Sequence, residues 1–160
     1  MSIRAGDKIP AATLFEMGAD GPGPLSSEEL FGGKTIIMFG LPGAFTPTCS
    51  AQHLPGFMNL TDQFKAKGID EIVCFAVNDA FVMGAWSKDQ GVAGKVRMIA
   101  DGNAELTKKM GLEVDISVKG FGLRCARFAM VVKDGTVRSI DVERPGEFEV
   151  SSAEAQLSKL

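Results

Sequence analysis

The stretch Phe39-Gly40-Leu41-Pro42-Gly43-Ala44-Phe45-Thr46-Pro47-Thr48-Cys49-Ser50 decides how the chain is read. An apolar run from Thr35 to Phe39 is stopped by Gly40, Pro42 and Gly43. A helix start follows, with Thr46 as N-cap and Pro47 at the first helical position. Cys49 then falls in the first helical turn, where unpaired backbone N–H groups and the positive end of the helix dipole favour an anion. The stretch builds a place for a thiolate. The plainer reading of the same residue is a small apolar side chain buried near a cap.

Working outward, strand and helix alternate. Thr35 to Phe39 has the continuous apolar character of a strand covered on both faces. The helix from Pro47 to about Lys67 carries Leu54, Phe57, Leu60 or Thr61, and Phe64 at helical spacing, and Gly68 closes it. Pro55 lacks a backbone N–H, which predicts a kink or break near Gln52 to Pro55. Glu71 to Val77 is a second buried strand, and Asn78-Asp79 leads into a helix from Ala80 to Gln90 with Phe81, Val82, Ala85 and Trp86 on its inner face. A strand at Val96 to Ala100 and a helix at Asn103 to Met110 repeat the unit, predicting parallel strands and right-handed crossovers.

The pattern then changes. Ala126 to Lys133 and Thr136 to Val142 flank Asp134-Gly135, a preferred two-residue hairpin turn, so this pair reads as antiparallel. Ser151-Ser152-Ala153-Glu154 reads as a capping box for a last helix carrying Leu157 and Leu160. Before Gly33, the turn punctuation of Gly21-Pro22-Gly23-Pro24 suggests an N-terminal hairpin extension, and Ser26-Ser27-Glu28-Glu29 opens a short helical turn. Together these make an α/β outline of the thioredoxin-like kind: a central mixed sheet flanked by helices, in one domain over residues 1–160.

With 160 residues the chain is long enough to bury a full core. A hydrophobic share of 45%, a charged share of 23% and a net charge of −3 fit an ordinary globular protein without the basic field that nucleic acid or an anionic membrane would need. Residues 1–8 lack the apolar core of a signal peptide and no apolar run reaches membrane-spanning length, so the expectation is cytoplasmic residence. Three cysteines at irregular spacing argue against a disulfide-stapled fold and for thiol chemistry in a reducing compartment. With His53 the single histidine and no Cys-x-x-Cys, no metal and no cofactor are expected.

Thr46-Pro47-Thr48-Cys49, set behind a Gly/Pro-rich strand-to-helix turn, resembles the active-site loop of the peroxiredoxins. The longer run from Leu41 to Ser50, with His53-Leu54-Pro55-Gly56-Phe57 after it, is similar to the peroxiredoxin-5 group and most of all to its plant-type II branch. The resemblance implies a thiol-dependent peroxidase for hydrogen peroxide and small alkyl hydroperoxides, working through a cysteine sulfenic acid. It implies Cys49 as nucleophile, Thr46 as a peroxide partner whose role as N-cap can coexist, and Pro42 as loop former. Arg127, in Arg127-Phe128-Ala129-Met130, matches the arginine that holds thiolate and peroxide; Arg124 is a second candidate.

His53 reads as structural or pocket-lining, since a thiolate already formed needs no base. Cys74 corresponds to the proposed resolving residue of the type II branch, and equally describes an inert cysteine buried in a central strand. Cys125 has no counterpart. The late resolving cysteine of the animal branch would fall near Phe148 to Ser152, where this chain has only serine. The implied reductant is an external thiol, glutaredoxin with glutathione or thioredoxin, and the implied assembly is a homodimer. The alternative reading is a peroxide-sensing relay or holdase built on the same thiol.

Overall fold

The computed structural model describes residues 2–160. Nine strands and six α-helices follow in the order β1 Thr13–Gly18, β2 Gly21–Ser26, α1 Ser27–Phe31, β3 Thr35–Gly40, α2 Leu54–Asn59, α3 Thr61–Ala66, β4 Glu71–Ala76, α4 Ala80–Gln90, β5 Arg97–Ala100, α5 Glu105–Lys109, β6 Glu113–Asp115, β7 Leu123–Cys125, β8 Phe128–Lys133, β9 Thr136–Val142 and α6 Ala153–Leu157. A π-helical turn at Cys49–His53 precedes α2. Seven strands form one sheet in the order β2-β1-β5-β4-β3-β8-β9, with β6 and β7 paired apart from it. β3, β4 and β5 run parallel and the remaining pairs are antiparallel. This is the mixed, helix-flanked sheet of the thioredoxin-like fold.

Side-chain alternation along the central strands builds two cores. Ile37, Phe39, Cys74, Ala129 and Val131 face a layer made by Leu54, Phe57, Phe64, Met83, Trp86 and Ala153. Ile36, Met38, Val73, Phe75, Phe128 and Met130 face the opposite layer of Leu30, Phe31, Leu106 and Met110. The rings of Phe39 and Phe57 stack at 4.2 Å across the first layer, fixing α2 on β3. At the end of β3, glycine is required: a Cβ on Gly40 would lie 2.1 Å from the ring of Phe128, its partner on β8. The chain can therefore leave the sheet toward Cys49 only at a residue without a side chain.

Several local expectations are revised. The Gly21-Pro22-Gly23-Pro24 run is not the turn but part of β2; the turn is Ala19-Asp20, and β2 is an edge strand, where proline breaks no inner ladder. The N-terminal hairpin is also no appendage, because Phe15 on β1 pairs with Ala100 on β5. The long helix from Pro47 is broken twice, once by the π-helical turn ahead of Pro55 and again at Leu60, whose φ of −107° and ψ of 13° are not helical. On α4 the inner face is Ala80, Met83 and Trp86, while Phe81 and Ala85 point outward. Ser152, not Ser151, caps α6 through a bond from the Ala155 N–H, and Leu160 lies beyond the helix and exposed.

The expected turn between β8 and β9 is as read: Asp134 and Gly135 have φ of 48° and 79°, the left-handed pair of a type I′ hairpin. Ser26 likewise caps α1 by accepting from the Glu29 N–H. No helix among the described residues is long and apolar enough to cross a membrane.

Candidate active site

Helical conformation begins at Pro47, as the sequence predicts, and the Thr46 carbonyl accepts the Ser50 N–H at 2.9 Å. The Thr46 hydroxyl, however, does not cap the first turn. It donates to the Gly43 carbonyl at 2.7 Å, so its oxygen faces the loop rather than the helix. Cys49 opens the π-helical turn, closed by the Leu54 N–H on the Cys49 carbonyl five residues back. Cys49 is fully buried, and Pro42, Thr46 and Arg127 are half-buried.

Arg127 reaches this sulfur from the segment between β7 and β8. Its Nη2 donates to Cys49 Sγ at 3.1 Å and its Nη1 lies 2.9 Å from His53 Nδ1. A guanidinium has no acceptor, so Nδ1 must accept and the ring proton must sit on Nε2, which donates to the Ser151 carbonyl at 2.9 Å. Burial, and then the Arg127 charge, push the imidazole pKa down to about 3, with the Ser151 bond acting the other way. His53 is therefore neutral with both nitrogens engaged, which makes it a bracket for Arg127 and not a base. The ring of Phe148 stands edge-on to His53 at 5.1 Å, and the Arg127 guanidinium lies 5.8 Å from its centre.

Arg124, the second candidate, goes elsewhere. Its Nη1 donates to the Pro42 carbonyl and its Nε to the Phe121 carbonyl, both at 2.9 Å. A Cβ on Gly43 would come within 2.6 Å of that Nη1, so the glycine leaves room for the brace. Asn78 Oδ1 accepts the Ala44 N–H at 2.9 Å and completes the support of the loop. On the far side of the π-helical turn, Trp86 Nε1 donates to Ser50 Oγ at 3.1 Å.

The other two thiols are sealed. Cys74 is fully buried on β4, and burial foremost raises its pKa well above the ordinary thiol value. Cys125 donates to the Leu41 carbonyl at 3.2 Å, and burial, followed by the nearby Asp101 charge, pushes it up to about 12. All three cysteines are free. A cavity of about 860 Å³ belongs to the opposite end of the parallel strands, around Glu16, Glu71 and Arg97, and none of the residues around Cys49 lines it.

Sequence reasoning missed Phe148, the Ser151 carbonyl, Asn78 and the Trp86 brace. Phe148 and Ser151 lie in a segment without periodicity after β9, and a backbone carbonyl leaves no mark in residue type. Asn78 was visible only as a loop residue.

Residues 4–157 match the Redoxin family. Peroxiredoxin-2D of Arabidopsis thaliana is 46% identical over 159 residues, covering 99% of this chain and 98% of the relative. The structure of reduced Prx3 from Vibrio vulnificus in complex with H2O2 superposes with a TM-score of 0.94 at 47% identity, covering 98% of both chains. A Burkholderia cenocepacia structure provisionally named a thioredoxin reductase superposes with a TM-score of 0.98 at 51% identity, over 100% of this chain and 99% of that one. In this chain the cysteines stand singly at 49, 74 and 125. The chain belongs to the Redoxin family as a peroxiredoxin, a thiol-dependent peroxidase similar to the plant type II branch of the peroxiredoxin-5 group.

Proposed function

We propose that residues 1–160 act as one domain that reduces hydrogen peroxide and small alkyl hydroperoxides at Cys49. The observation that carries this reading is the 3.1 Å contact of Arg127 Nη2 with Cys49 Sγ, with Nη1 held away on His53. The thiolate attacks one peroxide oxygen, an S–O bond forms as the O–O bond breaks, and the second oxygen leaves as water or alcohol once it has taken up a proton. Arg127 balances charge that moves from sulfur to the leaving oxygen, and the Thr46 oxygen, its proton given to Gly43, is free to accept from the peroxide O–H. Pro42, braced by Arg124, shields the sulfur. A buried cysteine with half-buried residues around it suits a small oxidant.

The product is a sulfenic acid on Cys49, which a thiol must reduce with release of water. Cys74 lies fully buried in the same apolar layer as Cys49, and burial foremost raises its pKa well above the ordinary thiol value, which makes it a poor nucleophile, so the reading favoured is a one-cysteine cycle. An external thiol, glutaredoxin with glutathione or thioredoxin, forms a mixed disulfide at Cys49 and a second thiol releases it. The setting is a reducing compartment such as the cytoplasm. The proposed assembly is a homodimer packed beside the active-site loops. In support, Phe45 and Phe81 are 52% and 66% exposed, and Phe45 has a φ of 66°, a strained value for an aromatic residue.

The test is free-thiol count and intact mass after one equivalent of hydrogen peroxide. Loss of one thiol with a sulfenic acid in both the wild type and Cys74→Ser, and no reaction in Cys49→Ser, is expected. Loss of two thiols in the wild type would replace the one-cysteine cycle by an internal disulfide, and reaction in Cys49→Ser would overturn the site.

A further inference from the structure

After β9 the chain runs through Glu143-Arg144-Pro145-Gly146-Glu147-Phe148-Glu149-Val150-Ser151 with no strand or helix. Its middle is exposed, but its two ends, Glu143 and Ser151, are buried. One carboxylate oxygen ties them: Glu143 Oε2 accepts the Glu149 N–H at 2.7 Å, the Ser151 N–H at 2.9 Å and the Ser151 hydroxyl at 2.7 Å. Burial alone would raise the pKa of this carboxyl, but the bonds from Ser151 and Glu149 outweigh it and hold Glu143 below the usual carboxylate range. Three donors on one oxygen suit a full negative charge. The loop is thereby closed on itself by a single anion.

What this closure fixes is the far side of the active site. The Ser151 carbonyl takes the His53 Nε2 proton, and the Phe148 ring leans on both His53 and Arg127. We propose that Glu143 is a positioning residue for the Cys49 reaction: through Ser151 it sets the tautomer and angle of His53, and through His53 it holds Arg127 Nη1 so that Nη2 stays on the sulfur. Glu143 touches neither sulfur nor peroxide. Without the Ser151 acceptor, the His53 proton is free to move to Nδ1, where it meets the guanidinium donor head-on and expels it. The inference rests on the peroxidase reading of Cys49 and Arg127 given above.

His53 is the single histidine of the chain, so its ring nitrogens give unambiguous NMR signals. The experiment records the imidazole ¹⁵N shifts at neutral pH and the second-order rate with hydrogen peroxide for the wild type, Glu143→Ala, Glu143→Gln and Ser151→Ala, and repeats Glu143→Gln in a His53→Asn background. One Nε2–H tautomer is expected in the wild type and in Ser151→Ala, which keeps the backbone carbonyl and N–H. Mixed tautomers are expected in Glu143→Ala, with a rate loss of about 10- to 100-fold, the scale of a displaced catalytic group. Glu143→Gln restores part of both, and also carries the test should Glu143→Ala not fold. In His53→Asn the Glu143→Gln change adds little.

A single retained tautomer with a lost rate would overturn the proposal in favour of a purely stabilising loop. Lost tautomer purity with an unchanged rate would overturn it as well. The tautomer readout needs no peroxide, so failure of the peroxidase reading, seen as peroxide consumption by Cys49→Ser, is told apart from failure of this one.

Discussion

At Arg127 one flat group does two tasks, because its nitrogens point to different partners: Cys49 Sγ at 3.1 Å and His53 Nδ1 at 2.9 Å. Lysine offers a point charge and no fork. Arg127→Ala and Arg127→Lys are both expected to slow peroxide attack by about 10²- to 10³-fold, the usual loss for one transition-state donor, with little change in unfolding temperature. Stopped-flow measurement of the second-order rate checks this, and a fully active Arg127→Lys would show that charge alone suffices. His53 gives a second prediction. Its pKa falls from an unfolded 6.5 to about 3 on folding, so the unfolded chain binds the extra proton in that window. Stability is therefore full above about pH 6.5 and drains as pH falls toward 3, by on the order of 1.4 kcal/mol per pH unit. Urea midpoints of wild type should drop across this range more steeply than those of His53→Asn, and parallel slopes would refute the assignment.

At the scale of elements, the π-helical turn is where sequence and structure are most tightly linked. Pro55 has no N–H to give, so the helix cannot keep α register through residues 50–55, and the extra residue is absorbed between Cys49 and His53. That register lets both side chains meet Arg127. Pro55→Ala restores the donor and should draw the turn toward α-helix. Peroxide reactivity is expected to fall at least about tenfold as the sulfur turns from the guanidinium, while thermal stability holds or rises. A fully active Pro55→Ala would mean that the π register is incidental. A proline inside an apolar helical pattern made a break legible in the sequence. Its form was not, because an α kink and a π turn use the same residue types.

For the molecule as a whole, the exposed faces of Phe45 and Phe81 bear on assembly. Phe45 sits 6.4 Å from Trp86 and Phe81 borders an apolar cavity with Phe15, Pro22 and Ala100. Phe81→Asp is expected to convert the proposed homodimer into monomer in sedimentation, since a charge would replace an aromatic anchor of that interface. Wild-type sedimentation as a monomer would remove the dimer from the proposal.

The sequence alone determined the parts that depend on near neighbours. The apolar runs of β3 and β4, the Asp134-Gly135 turn, the cap at Ser26 and the entry of Cys49 at a strand-to-helix joint are set by contacts a few residues long, and propensity and periodicity report such contacts. Arg127 stood out through family resemblance, not through any local pattern. Tertiary structure decided the rest. It placed Arg127 on the sulfur and Arg124 on Pro42, turned Gly21-Pro22-Gly23-Pro24 into an edge strand, and buried Cys74 in the same apolar layer as Cys49. It also brought the Ser151 carbonyl and Glu143 to His53. The physical reason is sequence separation: Arg127 stands 78 residues from Cys49, and Ser151 98 from His53. Only the strand order and register of the sheet bring such pairs within hydrogen-bond reach.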